Sequence, residues 1–139
     1  MKLATTTLTI QTRGAGLVDI TREVETWLSR ERAGEGQLTL FIRHTSASLT
    51  IQENADPDVL TDLEDFMRRL APWNVELYRH RAEGADDMPA HIRAALTNVS
   101  LTIPVVAGRP ALGTWQAIYL WEHRRNSQSR EIVAQLLSA

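Results

Sequence analysis

Apolar and polar positions alternate at the start of the chain. Ala4, Leu8 and Ile10 share one parity and threonines fill much of the rest, which predicts a strand buried on one face and wet on the other. Arg13-Gly14-Ala15-Gly16 reads as a turn. The period then changes, because Leu17, Ile20, Val24, Trp27 and Leu28 recur at helical spacing. Asp19 or Thr21 could cap that helix, and Gly34 and Gly36 end it. Leu38, Leu40 and Ile42 return to strict alternation. His44 keeps their parity, but Ala47, Leu49 and Ile51 lie on the other. A continuous strand keeps a period of two, so a bulge or a break between two strands falls at His44-Thr45-Ser46.

Asp56-Pro57 announces a second helix, with Asp56 as N-cap and Pro57 in the first position, where its missing donor costs nothing. Val59, Leu63, Phe66 and Leu70 form its apolar stripe. Asp58, Asp62, Glu64 and Asp65 lie mostly off that stripe and should face water. Val75 and Leu77 suggest a short extended piece before His80. The polar loop from Glu83 to Asp87 leads into a third helix, with Asp86 or Asp87 as cap and Pro89 in its first turn. On this reading Asp87 caps and Asp86 is wet, while Ile92, Ala95, Leu96 and Val99 form the buried face. Leu101, Ile103 and Val105 make a strand, and Gly108-Arg109-Pro110 a tight turn. The run from Gly113 to Trp121 reads as a central strand buried on both sides or lying in an interface. Ile132, Ala134 and Leu136 alternate as the last strand. These elements predict an α+β fold: one compact, mainly antiparallel β-sandwich-like domain over residues 1–139, with two or three outer helices.

Composition narrows the function classes. The chain has 139 residues, of which 43% are hydrophobic and 23% charged, with a formal net charge of -2. That balance disfavours a general nucleic-acid binder, which needs many cationic contacts on phosphates. With no cysteine, disulfides, cysteine-held metal or iron–sulfur centres and thiol catalysis are all excluded. No apolar run approaches the length of a membrane span. The expected location is cytoplasmic.

Four histidines, His44, His80, His91 and His123, stand at element edges rather than in apolar stripes. Distant histidines gathered by folding could bind zinc or another divalent metal; the alternative is separate hydrogen-bonding histidines. Glu83, Asp86 and Asp87 place carboxylates close to His80 and His91, so this segment is the best local candidate for a polar cleft. Gln52, Glu53, Asn54 and Asp56 form a second cluster, where Glu53 could take a proton or bind metal and Asn54 could orient a ligand. Its other reading is a solvent-facing turn. Glu122-His123-Arg124-Arg125 follows the aromatic strand, and Arg124 could clamp a phosphate through paired donors or form a surface ion pair. No nucleophile elbow, P-loop or aspartate-rich diphosphate motif is present.

Three motifs together are specific. They are His44-Thr45-Ser46-Ala47-Ser48-Leu49-Thr50-Ile51 with Glu53-Asn54-Ala55-Asp56-Pro57; Glu83-Gly84 with Asp86-Asp87-Met88-Pro89-Ala90-His91-Ile92; and Leu112-Gly113-Thr114-Trp115-Gln116-Ala117-Ile118-Tyr119-Leu120 continuing to Glu122-His123-Arg124. With them the chain resembles, over essentially its whole length, the YjbQ-like proteins, an uncharacterised family with members called secondary thiamine-phosphate synthase enzymes. It departs at Ala117, where that family commonly has glycine. The resemblance implies a homotrimer and a polar site containing His44, His80 and His91 as ligands of a metal ion. It also implies a weak thiamine-phosphate synthase activity, which joins a pyrimidine diphosphate to a thiazole phosphate and releases pyrophosphate.

For that chemistry the residues expected to act are Glu53, Asp86, Asp87 and Arg124 in catalysis, with Asn54, Gly84, His123 and Arg124 binding the substrate. Zinc or manganese suits mixed imidazole and carboxylate ligands, and magnesium could accompany a diphosphate substrate. The alternative is a non-catalytic trimer that binds a metal or a small phosphorylated molecule. Neither reading involves nucleic acid or a membrane.

Overall fold

In a computed structural model covering residues 1–139, eight strands and three helices form an α+β fold with two antiparallel sheets. The first sheet has the order β1 (Lys2–Gln11), β8 (Ser129–Ser138), β3 (Gly36–Ile42), β5 (Ser100–Val106), β6 (Arg109–Pro110). The second has β2 (Gly16–Asp19), β7 (Gln116–Glu122), β4 (Ala47–Glu53). The helices are α1 (Thr21–Arg30), α2 (Pro57–Leu70) and α3 (Asp87–Leu96). No helix is long and apolar enough to cross a membrane.

The parity change at residue 44 is a change of sheet. Leu38, Leu40 and Ile42 of β3 point into the core from the first sheet, and Ala47 and Leu49 of β4 enter the same core from the second. Residues 43–46 carry the chain between the layers, and the odd step of five from Ile42 to Ala47 reverses the parity of the inward positions. Ile118 and Leu120 of β7 join that core with Val24, Trp27 and Leu28 of α1. The other side of β7 is buried too: Tyr119 and Trp121 are 3% and 4% exposed. The indole Nε1–H of Trp121 donates to Glu64 on α2 at 2.7 Å. The second sheet is thus sandwiched between the first sheet and the α2 layer, which explains a central strand without alternation.

Several local expectations need correction. Leu17 belongs to β2, opposite Trp121, rather than to the first helix. That helix starts at Thr21 without a side-chain cap. Asp19 Oδ1 accepts from the Thr21 N–H at 2.9 Å, and the Thr21 hydroxyl accepts from the Ile118 N–H at 2.9 Å. Val75–Leu77 is a single 3-10 turn, begun by Asn74 Oδ1 accepting from the Glu76 N–H at 3.2 Å.

The start of α2 is as expected, with Asp56 Oδ1 accepting from the Asp58 N–H at 2.9 Å. Its orientation is not. Glu64 and Met67 face inward, while Phe66 and Leu70 are 52% and 51% exposed. On α3 the inward residues are Asp87, Pro89, Ala90 and Arg93, leaving Leu96 and Val99 largely outside. Both helices bury a polar line because it has partners there: Arg93 donates to Glu64 at 3.4 Å and to the Ala71 carbonyl at 3.0 Å. A buried ion pair can hold such an orientation even with the Nε of Arg93 left without a partner, since opening it would strand both charges.

Candidate functional site

The site begins where β7 ends. Glu122 and His123 are fully buried, and Arg124 emerges beside the N-terminus of α3. Gly84, at φ +108°, turns the preceding loop so that Asp86 and Asp87 enter together. Asp86 occupies the N-cap position of α3, but its side chain caps nothing. Its Oδ2 instead accepts from Arg124 Nε and from the Arg125 backbone N–H, both at 2.9 Å. Asp87 Oδ1 accepts from Arg124 Nη1 at 2.7 Å, and Arg124 Nη2 reaches the Glu83 carbonyl at 3.1 Å. One guanidinium therefore fixes two adjacent carboxylates that would otherwise repel each other. Asp86 is 5% exposed and Asp87 2%, so neither is the wet residue expected.

The second oxygen of Asp87 is the centre of the group. Oδ2 lies 2.6 Å from His80 Nε2 and 3.0 Å from His91 Nε2. His91 stands one helical turn after Asp87 on α3, and His80 approaches from the loop after the 3-10 turn. The other nitrogen of His91, Nδ1, donates to the Thr45 carbonyl at 3.0 Å, on the crossover between the sheets. That contact places a hydrogen on Nδ1, so a neutral His91 presents a bare lone pair from Nε2 toward a carboxylate oxygen. The pair is satisfied only when a proton or a metal ion lies between them. The His80, Asp87 and His91 ligand atoms lie within 4.8 Å of one another. Their side chains are 41%, 2% and 32% exposed, so the group opens to solvent on its imidazole side.

Burial alone pushes the carboxyl of Asp87 up, but hydrogen bonding from His80 and the positive field of His91 and Arg124 outweigh it and hold it below its ordinary value. For Asp86, burial is likewise outweighed, by the Arg125 N–H and Arg124. Arg124 is raised, chiefly by its hydrogen bond to Asp86. Two anions locked in that state beside two imidazoles are a donor set for a divalent cation of intermediate hardness.

The other expected site residues stand elsewhere in the folded chain. His44 is not in the group: its Nε2 accepts from the Glu131 N–H at 2.8 Å, and burial, followed by the charge of Arg130, lowers its pKa. Glu53 and Asn54 lie at the far end of β4. Glu53 is six positions along β4 from Ala47, about 20 Å on an extended strand. There Glu53 Oε2 accepts from the Asp56 N–H at 3.3 Å, and Asn54 is exposed. His123 is enclosed, not at the open face of the group: it is 0% exposed, and its Nε2 pairs with the Ser48 hydroxyl at 2.9 Å. Burial, then the nearby Arg93 and Arg130, lower its pKa to about 3. Arg124 has three N–H groups already engaged with protein, so it braces the carboxylates rather than presenting an open fork. The sequence reading missed the Thr45 carbonyl and the Arg125 N–H. Backbone groups occur at every residue, and no pattern singles out the ones a fold will use.

The chain matches the family model described as "UPF0047 protein YjbQ-like" over residues 6–139. It is 52% identical over 126 residues to UPF0047 protein sll1880 of Synechocystis, covering 91% of this chain and 86% of that one. It is 46% identical over 131 residues to UPF0047 protein YjbQ of Salmonella typhimurium, covering 94% of each. Among solved structures it is similar to the conserved hypothetical protein TT1486 of Thermus thermophilus, at a TM-score of 0.85 and 39% identity. That match covers 95% of this chain and 99% of the other.

Proposed function

The chain belongs to the UPF0047 family of YjbQ-like proteins, and we propose that His80, Asp87 and His91 hold a divalent metal ion at which a small phosphorylated molecule binds. One observation carries this reading: two imidazoles converge on one oxygen of Asp87, and the Nδ1 of His91 is tied to the Thr45 carbonyl. Metal-binding histidines habitually donate their second nitrogen to such a carbonyl. Zinc or manganese fits two nitrogens and one carboxylate oxygen better than magnesium does. When bound, such an ion supplies Lewis acidity and countercharge to phosphate oxygens. Arg124 is then a positioning residue, which keeps Asp87 ionised and aimed.

The reaction proposed for this site is a weak thiamine-phosphate synthesis, joining a pyrimidine diphosphate to a thiazole phosphate with loss of pyrophosphate. The solvent-open imidazole side supports access for such substrates. A second reading, a non-catalytic homotrimer that binds a metal or a phosphorylated metabolite, draws support from the apolar residues left outside. Phe66 and Leu70 on α2 and Leu96 and Val99 near α3 are each about half exposed, as expected of surfaces that meet another copy.

Metal analysis of protein purified without added metal, followed by zinc and manganese titration, tests the centre. About one ion per chain is expected, with loss in both Asp87→Asn and His91→Ala and retention in His44→Ala. Unchanged metal content in Asp87→Asn and His91→Ala would remove the proposal. Turnover of the two thiamine precursors decides between the readings. Catalysis requires a rate that falls sharply in Asp87→Asn, whereas binding without turnover selects the metabolite-binding trimer.

A further inference from the structure

We propose a second ligand site, separate from the histidine centre: a cleft between α1 and the β5–β6 hairpin that binds a small, multiply charged phosphate compound of the diphosphate type. The cleft has a volume of about 840 Å³ and shares no residue with the histidine group. Four arginines line it: Arg22 and Arg30 on α1, Arg32 just beyond it, and Arg109 across the gap. Thr26 and Ser29 add hydroxyls on the same side, and Glu25 is the one acidic lining residue.

None of the four guanidiniums has an ion-pair partner within 4.0 Å or donates a side-chain hydrogen bond. This happens in a chain with 17 acidic residues against 15 basic ones. Six arginines elsewhere, Arg43, Arg68, Arg93, Arg124, Arg125 and Arg130, lie beside a carboxylate, and the unpaired Arg13, Arg69, Arg79 and Arg81 stand outside this cleft. Here four remain gathered without such a partner. Guanidinium stays charged at any physiological pH, and its planar fork matches phosphate oxygens.

The backbone supplies an independent observation. Arg32 has φ +51°, in the left-handed region, at the position following the cap of α1. The Ala33 N–H reaches back to the Leu28 carbonyl at 3.1 Å, the closing bond of a helix end that ordinarily takes glycine there. An arginine in that conformation is unfavourable for folding and keeps a fourth cation on the cleft. Strain held at a ligand-facing residue is the kind that binding sites retain.

The opposite wall is equally fixed. Ala107 and Gly108 have φ +51° and +78°, forming the two-residue turn between β5 and β6. The Gly108 N–H donates to the Gly34 carbonyl at 2.9 Å, and a Cβ on Gly108 would meet the Ala33 carbonyl oxygen at 2.7 Å. The Ala107 N–H donates to Glu35 Oε1 at 2.9 Å. Arg109 therefore faces α1 from a tied backbone, which limits the ordering needed on binding to the exposed arginine side chains. The patch is bounded and the net charge is negative, which favours a compact anion over a long nucleic-acid strand.

Isothermal titration calorimetry with inorganic pyrophosphate and tripolyphosphate, at low salt with a chelator present, tests this site. Binding should weaken about tenfold in the double variant Arg30→Ala, Arg109→Ala, and in Arg22→Gln as an independent change. It should persist in Asp87→Asn, and salt should weaken it. Circular dichroism melting checks that each variant is folded. No binding, binding indifferent to both arginine variants, or binding lost in Asp87→Asn would each overturn the proposal, the last by moving the anion to the histidine group. Tighter capture of a single-stranded oligonucleotide or of anionic vesicles through the same arginines would also overturn it, in favour of a polymer or a lipid surface. Because metal is absent throughout, failure here leaves the proposed metal centre standing.

Discussion

Glu122, His123 and Arg124 are consecutive, yet they build two clusters of opposite character. Inward, the Glu122 carboxylate accepts from the Thr12 hydroxyl and Arg130 Nε, each at 2.8 Å, and from Arg130 Nη2. Arg130 also reaches the carbonyl and hydroxyl of Ser46 at 3.2 and 3.0 Å. His123 pairs with Ser48 beside it. Outward, Arg124 holds Asp86 and Asp87, and His80 and His91 converge on the oxygen it leaves free. Both clusters are made of carboxylate, guanidinium and imidazole. The inner one is closed to solvent: Glu122 and Arg130 are satisfied by the protein's own groups, while the Nδ1 of His123 is buried without a partner. The outer one has half-exposed imidazoles and a nitrogen–carboxylate contact that needs a cation. Access to solvent, not residue type, separates a structural cluster from a chemical one.

The largest effect should come from breaking the inner cluster. Arg130→Met leaves Glu122 buried without its counter-ion and should lower stability by about 3–5 kcal/mol, read as a shift of the urea midpoint. A loss below about 1 kcal/mol would mean that this pair behaves like an exposed one. The same substitution in Arg43, whose ion pair with Glu131 is at the surface, provides that comparison.

Next in size is the outer cluster. Asp87→Asn should weaken zinc or manganese binding at least as much as the roughly 10–100-fold typical of changes behind a ligand. Arg124→Lys keeps a charge but loses the fork that spans both aspartates, and should cost about tenfold in metal affinity. Equal affinities for Arg124→Lys and the parent chain would deny Arg124 its positioning role.

The clusters should also separate by pH. The folded pKa of His123 is about 3, against 6.5 unperturbed. Between those values the unfolded chain binds the additional proton, so this residue removes stability as pH falls from about 6.5 toward 3, by up to about 1.4 kcal/mol per pH unit. His123→Gln should flatten that slope. His44, lowered by burial and then by the charge of Arg130, acts in the same direction. Asp86 and Asp87 act lower: their depressed pKa values give stability present above about pH 4 and lost as pH falls through the folded values. Urea unfolding across this range distinguishes the two windows.

The smallest effect is expected at the far end of β4. Asn54→Ala should alter stability by no more than about 0.5 kcal/mol and leave metal affinity unchanged. A clear loss of metal binding would connect that exposed turn to the histidine group through another copy of the chain.

Periodicity alone disclosed the longer strands, including the break at residues 44–46, because side-chain direction in a strand is set by local geometry; the short β2 and β6 carry the patterns of a helix start and of a turn. It placed α2 and α3 along the chain but misjudged their buried sides. Apolar spacing was present at Val59, Leu63, Phe66 and Leu70, yet Glu64 turned inward because Trp121 and Arg93 waited there with donors. The local segment from His80 to His91 was visible as a polar cluster. The choice of Asp87 over Asp86 as the shared oxygen was not, since it depends on which carboxylate Arg124 and Arg125 occupy from a strand almost forty residues away.

What the amino-acid order determined by itself was therefore local: strand alternation, the Asp56 cap, the glycine turns and the absence of cysteine chemistry. What only tertiary structure decided was partnership. Glu122, His123 and Arg124 differ in fate because neighbours distant in the chain either enclose them or leave them beside water, and the free energy of a charged group depends on that surrounding far more than on its identity.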